Sequence, residues 1–328
     1  MSKKRRSLRH FLIALYTIVG ALLLLEIALR VFDPFGVVYY RDAARYFDAM
    51  TPDPDYGYIH TPGYKERLQD VDIEINGEGL RGPQFDVTKP AGERRLMILG
   101  DSVVFGWGAG QDVIFPAVLQ RMVGSSLRVI SAGVGSWNTR SEYEFLRKRG
   151  VDYGLDAVVL VAVANDVEPG AAGLRIVDGG DKEPAENVSV PHRVVRRLSR
   201  FSYVFSTFYH VARQRSTSNT LTRLYDDDAV EWRDTAAALD GIIDMCVDLE
   251  IPLMVFLYSD FESDFARSFI LYYGSYLSDR NVPFYKFSDK VFSKQYRNSI
   301  VDGHPNSVAH RIMAEDIFAA LEDEGILP

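Results

Sequence analysis

The stretch that decides the fold is "RRLMILGDSVVFGWG", Arg94 to Gly108. Its apolar run, Leu96 to Leu99, stops at Gly100-Asp101-Ser102. A short β-strand followed at once by Gly-Asp-Ser and a second glycine-rich turn sets a small hydroxyl at a strand end. Gly-Asp-Ser alone is common in turns, so its meaning depends on what the rest of the chain brings to the same edge.

Working outward, strands and helices alternate. Segment 111–124 (QDVIFPAVLQRMVG) predicts a helix bent near Pro116, and 127–133 (LRVISAG) a strand. Segment 139–150 (TRSEYEFLRKRG) predicts an amphipathic helix using Tyr143 and Leu146. Segment 156–166 (DAVVLVAVAND) has the continuous β-branched character of a strand buried on both faces. A long helix over 226–250 opens on three aspartates, which suit a helix N-terminus. Strands follow at 251–259 and 282–288. A closing helix over 306–325 has Val308, Ile312, Ile317, Phe318 and Leu321 for its apolar side. This rhythm predicts an α/β domain with a central parallel sheet and helices on both faces.

Before Arg94 the chain changes character twice. Residues 1–10 form a basic flank with Lys3, Lys4, Arg5, Arg6 and Arg9. Residues 11–32 are apolar, and Phe11 to Leu25 carry no charge, against about 20 residues needed to span a bilayer as a helix. Glu26 and Arg30, spaced i,i+4, suit pairing at the far headgroup boundary. The following "EIALRVF" is a poor cleavage site, which favours an uncleaved signal anchor over a removed signal peptide. The positive-inside rule leaves the flank in the cytoplasm and the rest outside. Residues 33–93, rich in Asp, Pro, Gly and Tyr, read as a juxtamembrane connector folded onto the main domain, with a hairpin turn at Asn76-Gly77.

Composition narrows the function. Of 328 residues, 47% are hydrophobic, enough for a sizeable core. Beyond Phe32 the chain holds 31 basic and 44 acidic residues, a net of −13, which argues against a nucleic-acid partner. The single cysteine, Cys246, permits no internal disulfide and reads as a small core residue. Segment 170–227 breaks the alternation with a polar stretch and then a basic amphipathic helix. Its place after a sheet strand suits a lid or a structural insertion equally.

Ligands of an open parallel sheet bind beyond the carboxyl ends of its strands. Gathered there are Gly100-Asp101-Ser102, "SAGVGSWNT" (Ser131 to Thr139), Asn165-Asp166 and "VDGHPN" (Val301 to Asn306). A serine, a glycine-rich turn, an amide and an Asp with a nearby His are the parts acyl transfer needs. A hydroxyl is a weak nucleophile until an imidazole takes its proton and a carboxylate orients that imidazole. The negative oxygen that forms needs hydrogen-bond donors. Asp101 reads as structural, and His310 as a surface or packing residue.

On four ordered blocks, "GDSVVFGWG", "SAGVGSWNT", "VAVANDVEP" and "DGHPNSVAHRIMAEDI", the chain resembles the SGNH/GDSL hydrolase family from about Arg94 to Leu327. The lead-in "INGEGLRGPQF" resembles membrane-anchored bacterial members. The resemblance implies a three-layer α/β/α sandwich and a reaction without metal or cofactor. It implies Ser102 as nucleophile, His304 as general base and Asp302 as its orienting partner. The oxyanion donors it implies are the backbone N–H of Ser102, that of Gly135 or Ser136, and the Asn165 side chain. The chain departs from the family's pattern at three places. Ser136 stands where the second block has glycine, Val163 where the third block begins with glycine, and Asp302 lies two residues before His304 rather than three. By family analogy the substrate is an acylated envelope or exported carbohydrate, with hydrolysis or O-acyl transfer as outcome. The alternatives are a lipase or thioesterase with the same triad, or an inactive glycan-binding scaffold.

Overall fold

The computed structural model describes residues 3–168, 175–176, 182–183, 190–213, 222–226, 228–259 and 264–327. Strand β5 (Arg95–Gly100) is completely buried, as an unbroken apolar run must be in a sheet covered on both sides. Numbered in chain order after two connector hairpins, the other strands of its sheet are β6 (Arg128–Gly133), β7 (Ala157–Val163), β8 (Leu253–Tyr258) and β9 (Phe284–Lys286). They run parallel in the order β9-β8-β7-β5-β6. The order reverses between β5 and β7, and the crevice at such a switch point is where open α/β sheets bind ligands.

Alternation sorts side chains onto two faces. Leu96 and Ile98 of β5 join Val159, Val161 and Phe256 in a core against α4 (Phe115–Val123) and α10 (Ser307–Asp323). Met97 and Leu99 join Val158, Leu160 and Val255 in a larger core against α5 (Thr139–Lys148), α8 (Val230–Asp248) and α9 (Asp264–Asp279). The result is a sheet between two helical layers. Cys246 is buried in the larger core.

Several local expectations need correction. Pro116 does not bend a helix; α4 starts at Phe115, so proline occupies the first turn, where its missing N–H costs nothing. Asp226 and Asp228 lie ahead of α8, and no side chain caps that helix. In α10, Val308 is only half-buried, and Ala309, Met313 and Ala314 supply much of the buried stripe.

The connector packs onto the larger core. Helix α2 (Val38–Tyr46) leads into hairpin β1 (Met50–Asp53) and β2 (Gly57–His60), then hairpin β3 (Lys65–Leu68) and β4 (Val71–Glu74). Tyr46, Tyr58, Leu68, Ile73 and Leu80 are buried there with Phe105 and Trp107. Gln69-Asp70 makes the tight β3–β4 turn without glycine, at φ 49° and 59°. Asn76-Gly77 turns the chain too, but in a wider loop closed by an Ile75–Arg81 bridge. There Asn76 Oδ1 accepts from the N–H groups of Glu78 and Leu80.

Helix α1 (Lys3–Phe32) is the one described helix long and apolar enough to cross a membrane, over Ser7–Phe32, and almost none of that stretch packs on the protein. Within 170–227, helices α6 (Val190–Phe201) and α7 (Tyr203–Arg213) are described; α6 packs on α2 and α7 on α1. Most of the polar half of that segment lies outside the described residues.

Candidate active site

The strand end at Gly100-Asp101-Ser102 is built for close approach. Asp101 caps the four-residue helix α3 (Ser102–Phe105), its Oδ1 accepting from Val103 N–H at 2.8 Å. The end of β6 presses against α3 so tightly that a Cβ on Gly133 would stand 2.3 Å from the Phe105 nitrogen. The small residues around Ser102 thus let two strand ends and a helix share one corner, with the serine hydroxyl at the rim.

The other partner arrives on the loop before α10. His304 Nε2 lies 2.8 Å from Ser102 Oγ, and His304 Nδ1 lies 2.6 Å from Asp302 Oδ1. The two-residue spacing works because Asp302 Oδ1 also accepts the His304 backbone N–H at 3.0 Å, folding the short segment on itself. Asp302 is buried, and its Oδ2 accepts from Asn298 Nδ2 at 3.3 Å. With its amide turned to satisfy both neighbours, Gln69 also donates to Oδ2 (3.0 Å) and accepts from Trp107 Nε1. Nδ1–H donation to Asp302 leaves Nε2 as acceptor for the serine proton. Asp101 Oδ2, 3.1 Å from Ser102 Oγ, competes for that single hydrogen.

Burial works against charge on the His304 ring, but the hydrogen bond and negative charge of Asp302, with Asp101 behind, outweigh it and raise the pKa above its ordinary value. The Asp101 carboxyl is itself pushed up by burial, against hydrogen bonds from Val103 and Ser102.

A cleft of about 380 Å³ opens over these groups, lined by Ser102, His304, Asn165, Tyr39, Phe265 and Phe292 among others. Asn165 is exposed on the 3₁₀ turn after β7 (Ala164–Val167). In the second block, the Gly135 N–H is engaged, donating to Tyr46 Oη at 2.8 Å, and the Gly135 carbonyl accepts from Tyr58. Ser136, half-buried, follows at φ 64°, a conformation that glycine adopts more easily.

Several neighbours escaped sequence reasoning. Tyr39, on α2, sits with its ring centre 6.0 Å from that of His304. Gly36, at φ 73°, packs where a Cβ would meet Ser299 Oγ at 2.1 Å, and Val301 N–H donates to Phe35 O, so the linker after α1 touches the loop of Asp302 and His304. Arg81 is fully buried and donates to the carbonyls of Phe105, Gly106 and Ala109 and to Gln111, tying down the chain beyond Ser102. Glu142 and Asp166 are buried, and the pKa of each is pushed well up, first by burial and then by neighbouring carboxyls. Glu142 stands on the buried stripe Thr139-Glu142-Phe145-Leu146, and an acid at such a position was the available signal. His310 is a packing residue, fully buried, with Nδ1 accepting from Phe115 N–H at 3.3 Å. Among the described residues no group of three or more His, Cys, Asp or Glu is placed to hold a metal ion.

No family model matches the chain, and no curated protein matches it. Solved structures similar to it include an aryl esterase of M. smegmatis (17% identity, 72% of this chain, 100% of that one, TM-score 0.42). Others are the psychrotrophic esterase EstA from Pseudoalteromonas sp. (12%, 70% and 97%, 0.45) and a GDSL-like lipase from Bacteroides thetaiotaomicron (14%, 70% and 89%, 0.41). The likeness is one of fold.

Proposed function

We propose that the protein is a serine hydrolase of the SGNH/GDSL type, tethered to a membrane by α1, that cleaves or transfers an O-acyl group through an acyl-enzyme. The observation that carries this reading is the proton path from Ser102 Oγ to His304 Nε2 (2.8 Å) and from Nδ1 to Asp302 (2.6 Å), opening into a cleft. Ser102 Oγ attacks the ester carbonyl while Nε2 takes its proton. The carbonyl carbon becomes tetrahedral, and its oxygen gains negative charge. The Ser102 and Ser136 N–H groups and the Asn165 amide hold that oxygen, since the Gly135 N–H is engaged by Tyr46. Protonated His304 passes its proton to the leaving alkoxide. Water, or a sugar hydroxyl, then gives up a proton to Nε2 and attacks the acyl-enzyme, releasing Ser102.

The basic flank at Lys3 to Arg9 supports a folded part outside the cytoplasmic membrane, by the positive-inside rule. An acylated envelope or exported carbohydrate fits that location, and the polar lining of Asn165, Ser259 and Arg297 suits a sugar. The aromatic lining of Tyr39, Tyr258, Phe265 and Phe292 favours a second reading, in which the acyl chain of a lipid ester occupies the cleft.

The test uses the full chain in detergent with aryl esters of increasing acyl length. Ser102→Ala is expected to lower kcat by at least ~10⁴-fold and to abolish covalent labelling by a fluorophosphonate. A variant that keeps the wild-type rate would overturn the proposal. A preference for acetyl supports the carbohydrate reading, and a preference for long chains the lipid reading.

A further inference from the structure

Glu26 is the one acid of α1 and ends its uncharged stretch, and all but one of its partners come from far along the chain. Its carboxylate accepts from the N–H groups of Tyr203 and Val204 (both 2.9 Å) and from Ser202 Oγ (3.0 Å), the start of α7. Arg30 pairs with it at 2.8 Å, also donates to the Phe201 carbonyl, and lies over the Tyr203 ring. Leu29, Val37 and Tyr203 close a small apolar cluster around this joint. The hairpin α6–α7 is therefore fastened to the outer end of α1.

The depth of that joint follows from length. The fifteen uncharged residues Phe11 to Leu25 rise about 22 Å as a helix, short of a hydrocarbon core of about 30 Å. With the basic flank left in the cytoplasm, the remainder of the crossing is drawn from the turn or two around Glu26, which puts Ser202 to Val204 near the membrane boundary with it. Beside them, Val194, Leu198 and Phe201 of α6, at i, i+4 and i+7, are 51%, 42% and 67% exposed, and Phe208 of α7 is 68% exposed. The sequence of α6 carries four arginines and no acid. A helix with large exposed apolar groups and basic charge, held level with a headgroup layer, has the makings of an interfacial helix.

We infer that the α6–α7 hairpin, clamped to α1 through Glu26, is a second membrane-binding element that lies in the outer headgroup layer with Leu198, Phe201 and Phe208 among lipid chains. Its occupant is the bilayer that α1 enters, because the exposed apolar stripe continues that surface and the arginines complement anionic headgroups. Since α6 packs on α2, which carries Tyr39, the hairpin also sets the cleft close above the lipid.

The inference rests on α1 spanning a bilayer, and the test separates the two. In a Cys246→Ala background, the full chain is reconstituted into vesicles of phosphatidylcholine and phosphatidylglycerol. Single cysteines replace Leu15, Leu198, Phe201, Phe208 or Val247 in turn and carry a nitroxide. Collisions with oxygen are expected to exceed those with a water-soluble nickel chelate several-fold at 198, 201 and 208, as at 15, and to be reversed at 247. Water-like labels at 198, 201 and 208 with a lipid-like label at 15 overturn the inference alone. A water-like label at 15 overturns the anchor itself. Dipolar broadening at 201 that vanishes on dilution with unlabelled chain would assign the face to a second copy and also overturn the inference.

Discussion

Tyr46, a residue of the connector, accepts the amide hydrogen of Gly135 at 2.8 Å, and its hydroxyl also meets His60 Nε2 at 2.7 Å. One buried phenol thus joins the segment after α1 to the turn that follows β6. The connector is part of the site's wall as well as its tether. Tyr46→Phe would leave the buried Gly135 N–H without a partner, a cost of about 1–3 kcal/mol. Urea denaturation should show that loss, and the ester assay should show a lower kcat; an unchanged variant would mean the turn is held by other contacts.

Ser136 and Asn165 can be told apart by substitution. Ser136→Gly keeps the N–H and suits φ 64°, so activity should stay within a few-fold and stability should rise by up to about 1 kcal/mol. Asn165→Ala removes a donor and should lower kcat by about 10²-fold with little effect on unfolding. Equal losses from both would contradict the assignment of a backbone donor at 136.

Arg81 supports the chain beyond Ser102 from within the core. Arg81→Met deletes its donations to three backbone carbonyls and to Gln111. The buried acceptors left behind should cost more than about 3 kcal/mol, read as a lower Tm and a smaller folded fraction. A variant as stable as wild type would show that the 105–109 turn holds itself.

The activity should depend on pH through His304. Only the neutral ring can accept the serine proton, and its pKa is raised, so kcat/KM should fall with acidification on a limb above about 6.5. Asp302→Asn should move that limb down and lower kcat by about 10⁴-fold. The stability linkage runs the other way with pH. A raised folded pKa contributes stability in full below the unfolded value, and that stability is lost as pH rises through the folded value.

The buried acids predict a pH-dependent stability of their own. The folded pKa values of Glu142 and Asp166 are raised by burial, so each contribution is complete below the ordinary carboxyl value, about 4.5 for Glu142 and 3.8 for Asp166, and declines as pH rises. Glu142→Gln keeps the shape and cannot ionise. Denaturant midpoints across pH should therefore be less sensitive to pH in Glu142→Gln than in wild type, and an unchanged slope would contradict the prediction.

Legibility in the sequence followed the range of the interaction. The unbroken apolar runs of β5, β7 and β8 announced a buried parallel sheet, and the rule that ligands bind beyond the carboxyl ends of such strands gave those ends their importance. That local pattern made Ser102, Asn165, Asp302 and His304 visible as candidates. It did not reveal Tyr46, Gln69, Arg81 or Asn298, which look like ordinary polar residues in loops and hairpins until a distant partner is known.

What the sequence determined by itself, then, is which segments bury which faces, because strand and helix periods are local properties of neighbouring side chains. The tertiary structure alone decided which polar groups meet: that Gly135 gives its N–H to Tyr46, that Gln69 backs Asp302, and that Glu26 caps α7. Such pairings join residues far apart in the chain, and no local period records them. Each forms because a buried donor or acceptor left alone is costly, and only the packed fold determines which partner is within reach.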